Sequence, residues 1–343
     1  MTPAVLSQPR YAVLADMGRR IMDVILHIGA QRTATTTFQA YLRANAPGLA
    51  AQGVGFWGPL RTRHGGLLSG ILPDQTDDRG NPVIPEAQRL DRARRRICAQ
   101  VETVARRGFS HLIISDENIL GTVRQNLRAL ALYPQAGERL GRFATAFDGA
   151  VGRVVLSLRA LDDYWASAWA FAVGRGHRLP SPGELDRLVV SRRSWQQVIK
   201  DVAAAFPGAD LQVHAHEIHA SRPDQRLRQM VDGAITAPMK DARHWLHRAP
   251  DLPQLRARLA ARGGDPETLP AGGGRWQLFN SDQATRLRQT HEDDLLWLAA
   301  GAGGLATLIE EDQPDQAGDN LPGGATTRGQ EDDQQDRRLA RTG

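Results

Sequence analysis

The residues that can do chemistry on an anion stand in one run, Val24-Ile25-Leu26-His27-Ile28-Gly29-Ala30-Gln31-Arg32-Thr33-Ala34-Thr35-Thr36-Thr37. An apolar stretch leads into a glycine, a short loop follows, and three consecutive threonines open a helix. A strand ending this way brings free backbone N–H groups and the positive end of a helix dipole to one point, where an anion binds. The run departs from the nucleoside-triphosphate loop G-x-x-x-x-G-K-[ST]. Counted from Gly29, Ala34 takes the place of the second glycine, Thr35 that of the lysine and Thr36 that of the hydroxyl. The nearest cation, Arg32, lies inside the loop. The spacing implies an anion other than a nucleoside triphosphate.

Two further groups of residues stand down the chain. Arg159 closes the run Arg153–Leu158, and Ser167 follows eight residues later. Arg159 either meets an anion or pairs with Asp162 or Asp163. His111-Leu112-Ile113-Ile114-Ser115 ends at Asp116-Glu117-Asn118. A carboxylate at the end of a strand is a candidate general base, and Glu117 is the first choice. Asp116 competes with it, because side chains alternate at a strand end, and either can instead cap the next helix. His27 is either a core residue or a third candidate. His214 and His216 alternate with Val213 and Ala215, as one polar face of a strand does, and have no metal-ligand partners in the sequence.

Taken together, these motifs resemble those of sulfotransferases that use 3′-phosphoadenosine 5′-phosphosulfate (PAPS). The phosphosulfate loop of that family reads P-K-[ST]-G-T-[ST], and here the run is Gln31-Arg32-Thr33-Ala34-Thr35-Thr36. The family also places an Arg at a strand end and a Ser eight residues on, as Arg159 and Ser167 stand here. The resemblance extends more weakly from about Asp23 to Ala300. It implies PAPS as the sulfonate donor, no metal, and in-line transfer to a hydroxyl or amine of an acceptor such as a carbohydrate or small molecule. Backbone N–H groups of Thr33, Ala34, Thr35 and Thr36, with the Thr35, Thr36 and Thr37 hydroxyls, would hold the phosphosulfate. Arg32 would neutralise it in place of the family's lysine, and Arg159 and Ser167 would hold the 3′-phosphate. Gly272-Gly273-Gly274-Arg275-Trp276 loosely matches a late loop that touches the nucleotide, and its other reading is an ordinary turn. Glu117 would be the base. There are two departures from the pattern. Arg32 cannot give a proton to the leaving group at neutral pH. Ala34 is strained if its position needs a positive φ.

Two other classes compete. A small-molecule kinase with a P-loop lacks its lysine at Thr35 and finds an acidic partner only in the stretch Leu112–Asp116. A non-catalytic protein that binds nucleotide or nucleic acid is favoured by the Arg92-Arg94-Arg95-Arg96 cluster and by the departures at Arg32 and Ala34. Few aromatics interleave with those arginines and no nucleic-acid motif is present, so nucleic acid is not the expected partner.

The elements that must position these residues alternate as βαβα. Strands are expected at Asp23–Ile28, His111–Ser115, Arg153–Leu158 and Leu211–His216. Helices are expected over 35–45, 86–107, 194–206 and 281–298, with one after Arg159. Short apolar strands between helices predict an α/β, P-loop-like, three-layer fold with a central, mainly parallel sheet flanked by helices. Ligands in such sheets lie beyond the carboxyl ends of the strands, where Arg32, Glu117 and Arg159 stand. Residues 1–20 are expected to be a flexible extension, 21–310 one domain and 311–343 a disordered polar tail. Acceptor specificity is expected in the segments 58–85 and 171–186, the latter with Arg175, His177 and Arg178.

Among the 343 residues, Lys and Arg number 43 against 38 Asp and Glu, a formal charge of +5, and only Lys200 and Lys240 are lysines. An arginine-dominated excess suits an anionic ligand. The single cysteine, Cys98, excludes an intramolecular disulfide. No stretch approaches the roughly 18 apolar residues of a membrane span. Met1–Arg20 lacks the apolar core of a secretory signal. The expectation is a soluble, cytoplasmic protein, with its acceptor and oligomeric state unwritten in the sequence.

Overall fold

Six parallel strands form the central sheet, in the order β2-β3-β1-β4-β5-β6. They are β1 Asp23–His27, β2 Val54–Trp57, β3 His111–Ser115, β4 Val151–Leu158, β5 Asp210–Ala215 and β6 Thr307–Ile309. The computed structural model describes residues 22–72, 84–236, 239–240 and 249–310. The expected N-terminal extension, the middle of the 58–85 segment and the expected tail lie outside the described residues. All described residues belong to one unit ending at Glu311.

β1 lies inside the sheet. The chain runs from it to β2 at one edge and back to β3 beside it, then crosses to β4, β5 and β6 on the other side. That reversal opens a crevice at the carboxyl end of β1, between β3 and β4. The strand order therefore explains why the loop after β1 is where a ligand would sit.

The helices named below are α1 Thr35–Ala44, α2 Ala46–Ala51, α3 Glu86–Arg106, α4 Val123–Ala129, α5 Ala136–Phe147, α6 Leu161–Val173, α7 Pro182–Val189, α8 Trp195–Ala205, α9 His216–His219, α10 Pro223–Met230, α11 Leu252–Ala260 and α12 Ser281–Ala299. Alternate strand residues face opposite layers. Leu26, Ile114, Val154 and Leu156 join a large core with Ile97 and Val101 of α3, Leu140 and Phe143 of α5, and Val198 and Val202 of α8. Ile25, Ile113 and Val155 face a smaller core with Phe38, Tyr41 and Leu42 of α1 and Leu227 and Met230 of α10. Burying each such side chain is worth about 1.5–3 kcal/mol, so α1 is held by its apolar stripe.

Two strands exceed the sequence expectation, β2 and β6, and both lie at the edges of the sheet. Asn45-Ala46-Pro47-Gly48, expected to stop or turn the first helix, does both: α1 ends at Ala44 and α2 begins at Ala46, with proline in its first turn, where no N–H is needed. The start of the long segment after Gly58 folds as a short π-helical turn, Leu60–His64. Cys98 is half-buried on α3, and burial pushes its thiol pKa up.

Candidate anion-binding cleft

The loop after β1 is held by a glycine and by two inward-turned threonine hydroxyls. Gly29 has φ 99, and a Cβ there would lie 3.0 Å from Cβ of Glu117, so only glycine fits. Thr33 and Thr35 turn their hydroxyls inward, and both donate to the Ala30 carbonyl, at 2.6 and 2.9 Å. Arg32 and Ala34 take the left-handed conformation, φ 66 and 62. Ala34 is the N-cap of α1, and among the described residues no side chain caps that helix. By contrast α4, α7, α8, α11 and α12 each close with a capping box. An uncapped helix start leaves backbone donors for a ligand.

The loop opens into a cleft of about 820 Å³. Its lining includes Arg32, Ala34, Thr35, Thr36, Glu117, Arg159, Ser167 and Arg275, residues from distant parts of the sequence. Thr36 is exposed there, whereas Thr33 and Thr37 are buried and are not among the lining residues. Of the threonine hydroxyls expected to face an anion, Thr36 is therefore the one directed to the cleft, and the hydroxyl proton of Thr35 is already committed to Ala30.

Arg32 turns toward α6. Its Nε donates to Ser167 Oγ at 3.0 Å, and its guanidinium lies 4.9 Å from the centre of the Phe171 ring. Burial and the nearby charges of Arg159 and Arg175 push its pKa down to about 10. Ser167, expected beside Arg159, instead supports Arg32. Arg159 is only 7% exposed and donates from Nη1 to the Arg32 carbonyl at 2.9 Å, which ties the end of β4 to the loop after β1. Its Nη2 lies 3.4 Å from Asp163, and its buried Nε has no hydrogen-bond partner among the described residues. The pairing with Asp163 is thus real, and Asp163 lines the cleft. Arg275 reaches the same Asp163 carboxylate at 3.5 Å from the late loop. Asp162 is held by Arg288 of α12 at 2.6 Å.

Asp116 and Glu117 divide the two readings of the β3 end between them. Asp116 is 2% exposed and accepts from Thr62 Oγ1 at 2.6 Å, from Arg63, and from the Asn118 N–H, capping the short turn Glu117–Ile119. Its carboxylate is engaged on every side. Glu117 lines the cleft, and its oxygens accept from Gln39 Nε2 and from Arg63 Nη2, each at 2.9 Å. The cation beside Glu117 is therefore Arg63. Burial opposes the charge on Arg63, but Asp116 and Glu117 outweigh it and raise its pKa.

His27 lies in the smaller core. It bonds Ser115 Oγ through Nδ1 at 2.8 Å and packs edge-on against Phe38. Burial, aided by Arg226, pushes its pKa down to about 3, so it stays neutral and away from the cleft. His214, expected on a polar strand face, is buried on the same side of the sheet.

Several residues of the site were not singled out in the sequence. Gln31 receives Tyr133 Oη at 2.6 Å on its side-chain carbonyl, and its backbone N–H donates to the same hydroxyl at 3.0 Å. Its amide donates to the Gly121 carbonyl at 2.5 Å. Tyr164, itself bonded by Asn126 at 2.7 Å, closes on Tyr133 at 3.3 Å. This buried network fixes the loop from below. Trp195 Nε1 donates to the Arg159 carbonyl at 2.8 Å and fixes the other side.

Among the described residues, no group of three or more His, Cys, Asp or Glu is placed to hold a metal, and no helix is long and apolar enough to cross a membrane. Fold and cleft define an α/β protein with a polar cleft beside the loop after β1. No protein-family model, curated protein or solved structure matches the chain.

Proposed function

We propose that this protein is a sulfotransferase that moves the sulfonate of PAPS to a hydroxyl or amine of an acceptor. The observation that carries the reading is that two motifs more than a hundred residues apart meet in one cleft, joined by the bond from Arg159 to the Arg32 carbonyl. In this reading the backbone N–H groups at the start of α1 and the Thr36 hydroxyl bind the 5′-phosphosulfate. Arg159, with its unpartnered Nε, and Arg275 take the 3′-phosphate at the far end.

The reaction then needs little from the protein beyond alignment and charge neutralisation. Glu117 takes the proton of the acceptor as its oxygen or nitrogen attacks sulfur. The S–O bond to the phosphate breaks, and the charge left on the bridging oxygen falls to the helix N-terminus and Arg32. Arg32 stays protonated throughout, so it stabilises that charge without neutralising it by proton transfer.

Calorimetric titration with PAP, the 3′,5′-bisphosphate product, in the absence of metal tests the reading. The expected result is micromolar binding that weakens about 10- to 100-fold in Arg159→Ala, the loss typical of a charged hydrogen-bond partner. No binding of PAP, with magnesium-dependent binding of ATP instead, would move the protein to the kinase class.

A further inference from the structure

His216 is the first residue after β5, at the carboxyl end of the strand next to β4, and it lines the cleft together with Arg159 and Arg275. Its Nδ1 is buried and, among the described residues, has no hydrogen-bond partner. We propose that His216 is a further ligand for a phosphate monoester bound between Arg159 and Arg275, donating to it from Nδ1. This rests on the nucleotide reading given above.

The surroundings of the ring specify how this works. Arg159 faces it from the end of β4, Arg226 from α10 and Arg275 from the late loop. The nearby carboxylates are turned elsewhere: Asp163 lies between Arg159 and Arg275, and Glu217 accepts the Ala160 N–H at 2.9 Å. Burial, then Arg159 and Arg226, push the pKa of His216 down to about 3, opposed by a hydrogen bond with the Thr33 backbone. The neutral imidazole carries a single proton, on one of its two nitrogens. A phosphate dianion only accepts hydrogen bonds. To donate to it, Nδ1 must carry a proton, and the dianion offsets the cations that otherwise disfavour the charged ring. Binding of the bisphosphate therefore takes up a proton. The folded-state pKa rises on binding, so this share of the affinity is present at low pH and is lost as pH rises through the pKa of the complex.

The test compares PAP with AMP, which lacks the 3′-phosphate, by calorimetry at pH 6.5 in buffers of different ionisation enthalpy. Wild type, His216→Ala and His216→Gln are used, with melting curves to establish that each is folded. His216→Ala should bind PAP about tenfold more weakly and AMP within twofold of wild type. His216→Gln restores a donor without a titrating group, so it should recover PAP affinity in part and lose the proton uptake. The phosphate's own titration is common to all three proteins and cancels in the difference. The wild-type comparison of PAP with AMP gives the proton count even if neither variant folds, once the protons released by the 3′-phosphate, known from the titration of free PAP, are subtracted. Equal proton uptake with PAP and AMP in wild type after that subtraction, or an unchanged preference for PAP in folded His216→Ala, would overturn the role of His216 while leaving the nucleotide reading intact. Absence of PAP binding to wild type would overturn both.

Discussion

Two strand-to-helix junctions face each other across the cleft, β1 to α1 and β4 to α6, and they treat the start of their helix differently. Both helices begin at an alanine with no side-chain cap, Ala34 and Ala160. The first turn of α1 holds no acidic residue and carries threonines, whereas the first turn of α6 holds Asp162 and Asp163. At α6 the chain supplies its own anions to the helix dipole. At α1 the same positive end is left to whatever enters the cleft. In the proposed reading a ligand's charge is met directly at the α1 junction, but at the α6 junction only where Arg159 and Arg275 outweigh Asp163.

That contrast can be broken by experiment, and the largest expected effect lies at the β3 end. Glu117→Gln should lower the transfer rate about 10²- to 10⁴-fold, the range for loss of a general base, while PAP affinity stays within about twofold. A rate loss matched by an equal loss of PAP affinity would mean that Glu117 only shapes the loop. A smaller effect is expected at α6. Asp163→Asn removes a negative charge shared by Arg159 and Arg275, so PAP should bind about three- to tenfold more tightly at low salt, the gain shrinking as salt screens it. Weaker PAP binding would show that Asp163 orients Arg159 rather than competing with the ligand. The smallest effect lies in the loop itself. Ala34 has φ 62, a conformation that costs a non-glycine residue roughly 1–2 kcal/mol, against roughly 0.5–1 kcal/mol of extra chain entropy for glycine. Ala34→Gly should stabilise the protein by about 0.5–1 kcal/mol, read as a higher denaturant midpoint. Destabilisation would show that the Ala34 methyl packs usefully against the cleft wall.

The two junctions were also unequally legible in the sequence. The strands that carry them, β1 and β4, are apolar runs with clear ends, and β3 and β5 read equally well. β2 and β6 did not, for physical reasons. Val54–Trp57 is four residues with a glycine inside it, and Thr307–Ile309 is three residues, too short for any periodicity. Arg32 and Arg159 could be named from their positions at strand ends, but their mutual contacts could not, because Ser167 meets Arg32 across 135 residues of chain. Alternation at the end of β3 stated that only one of Asp116 and Glu117 would face the cleft. The choice was made by Thr62 and Arg63, hidden in a Gly- and Pro-rich segment with no pattern of its own. Tyr133 and Gln39 gave no signal, since a buried hydroxyl or amide is recognised only by what surrounds it.

The central claim is that one anionic ligand spans both junctions. A crystal structure of the protein with PAP tests it most directly. The account predicts the 5′-phosphate within hydrogen-bond distance of the backbone N–H groups at the start of α1, and the 3′-phosphate within reach of Arg159 Nε. A PAP molecule bound with neither phosphate at the α1 N-terminus, or with Arg159 still paired only to Asp163, would contradict it.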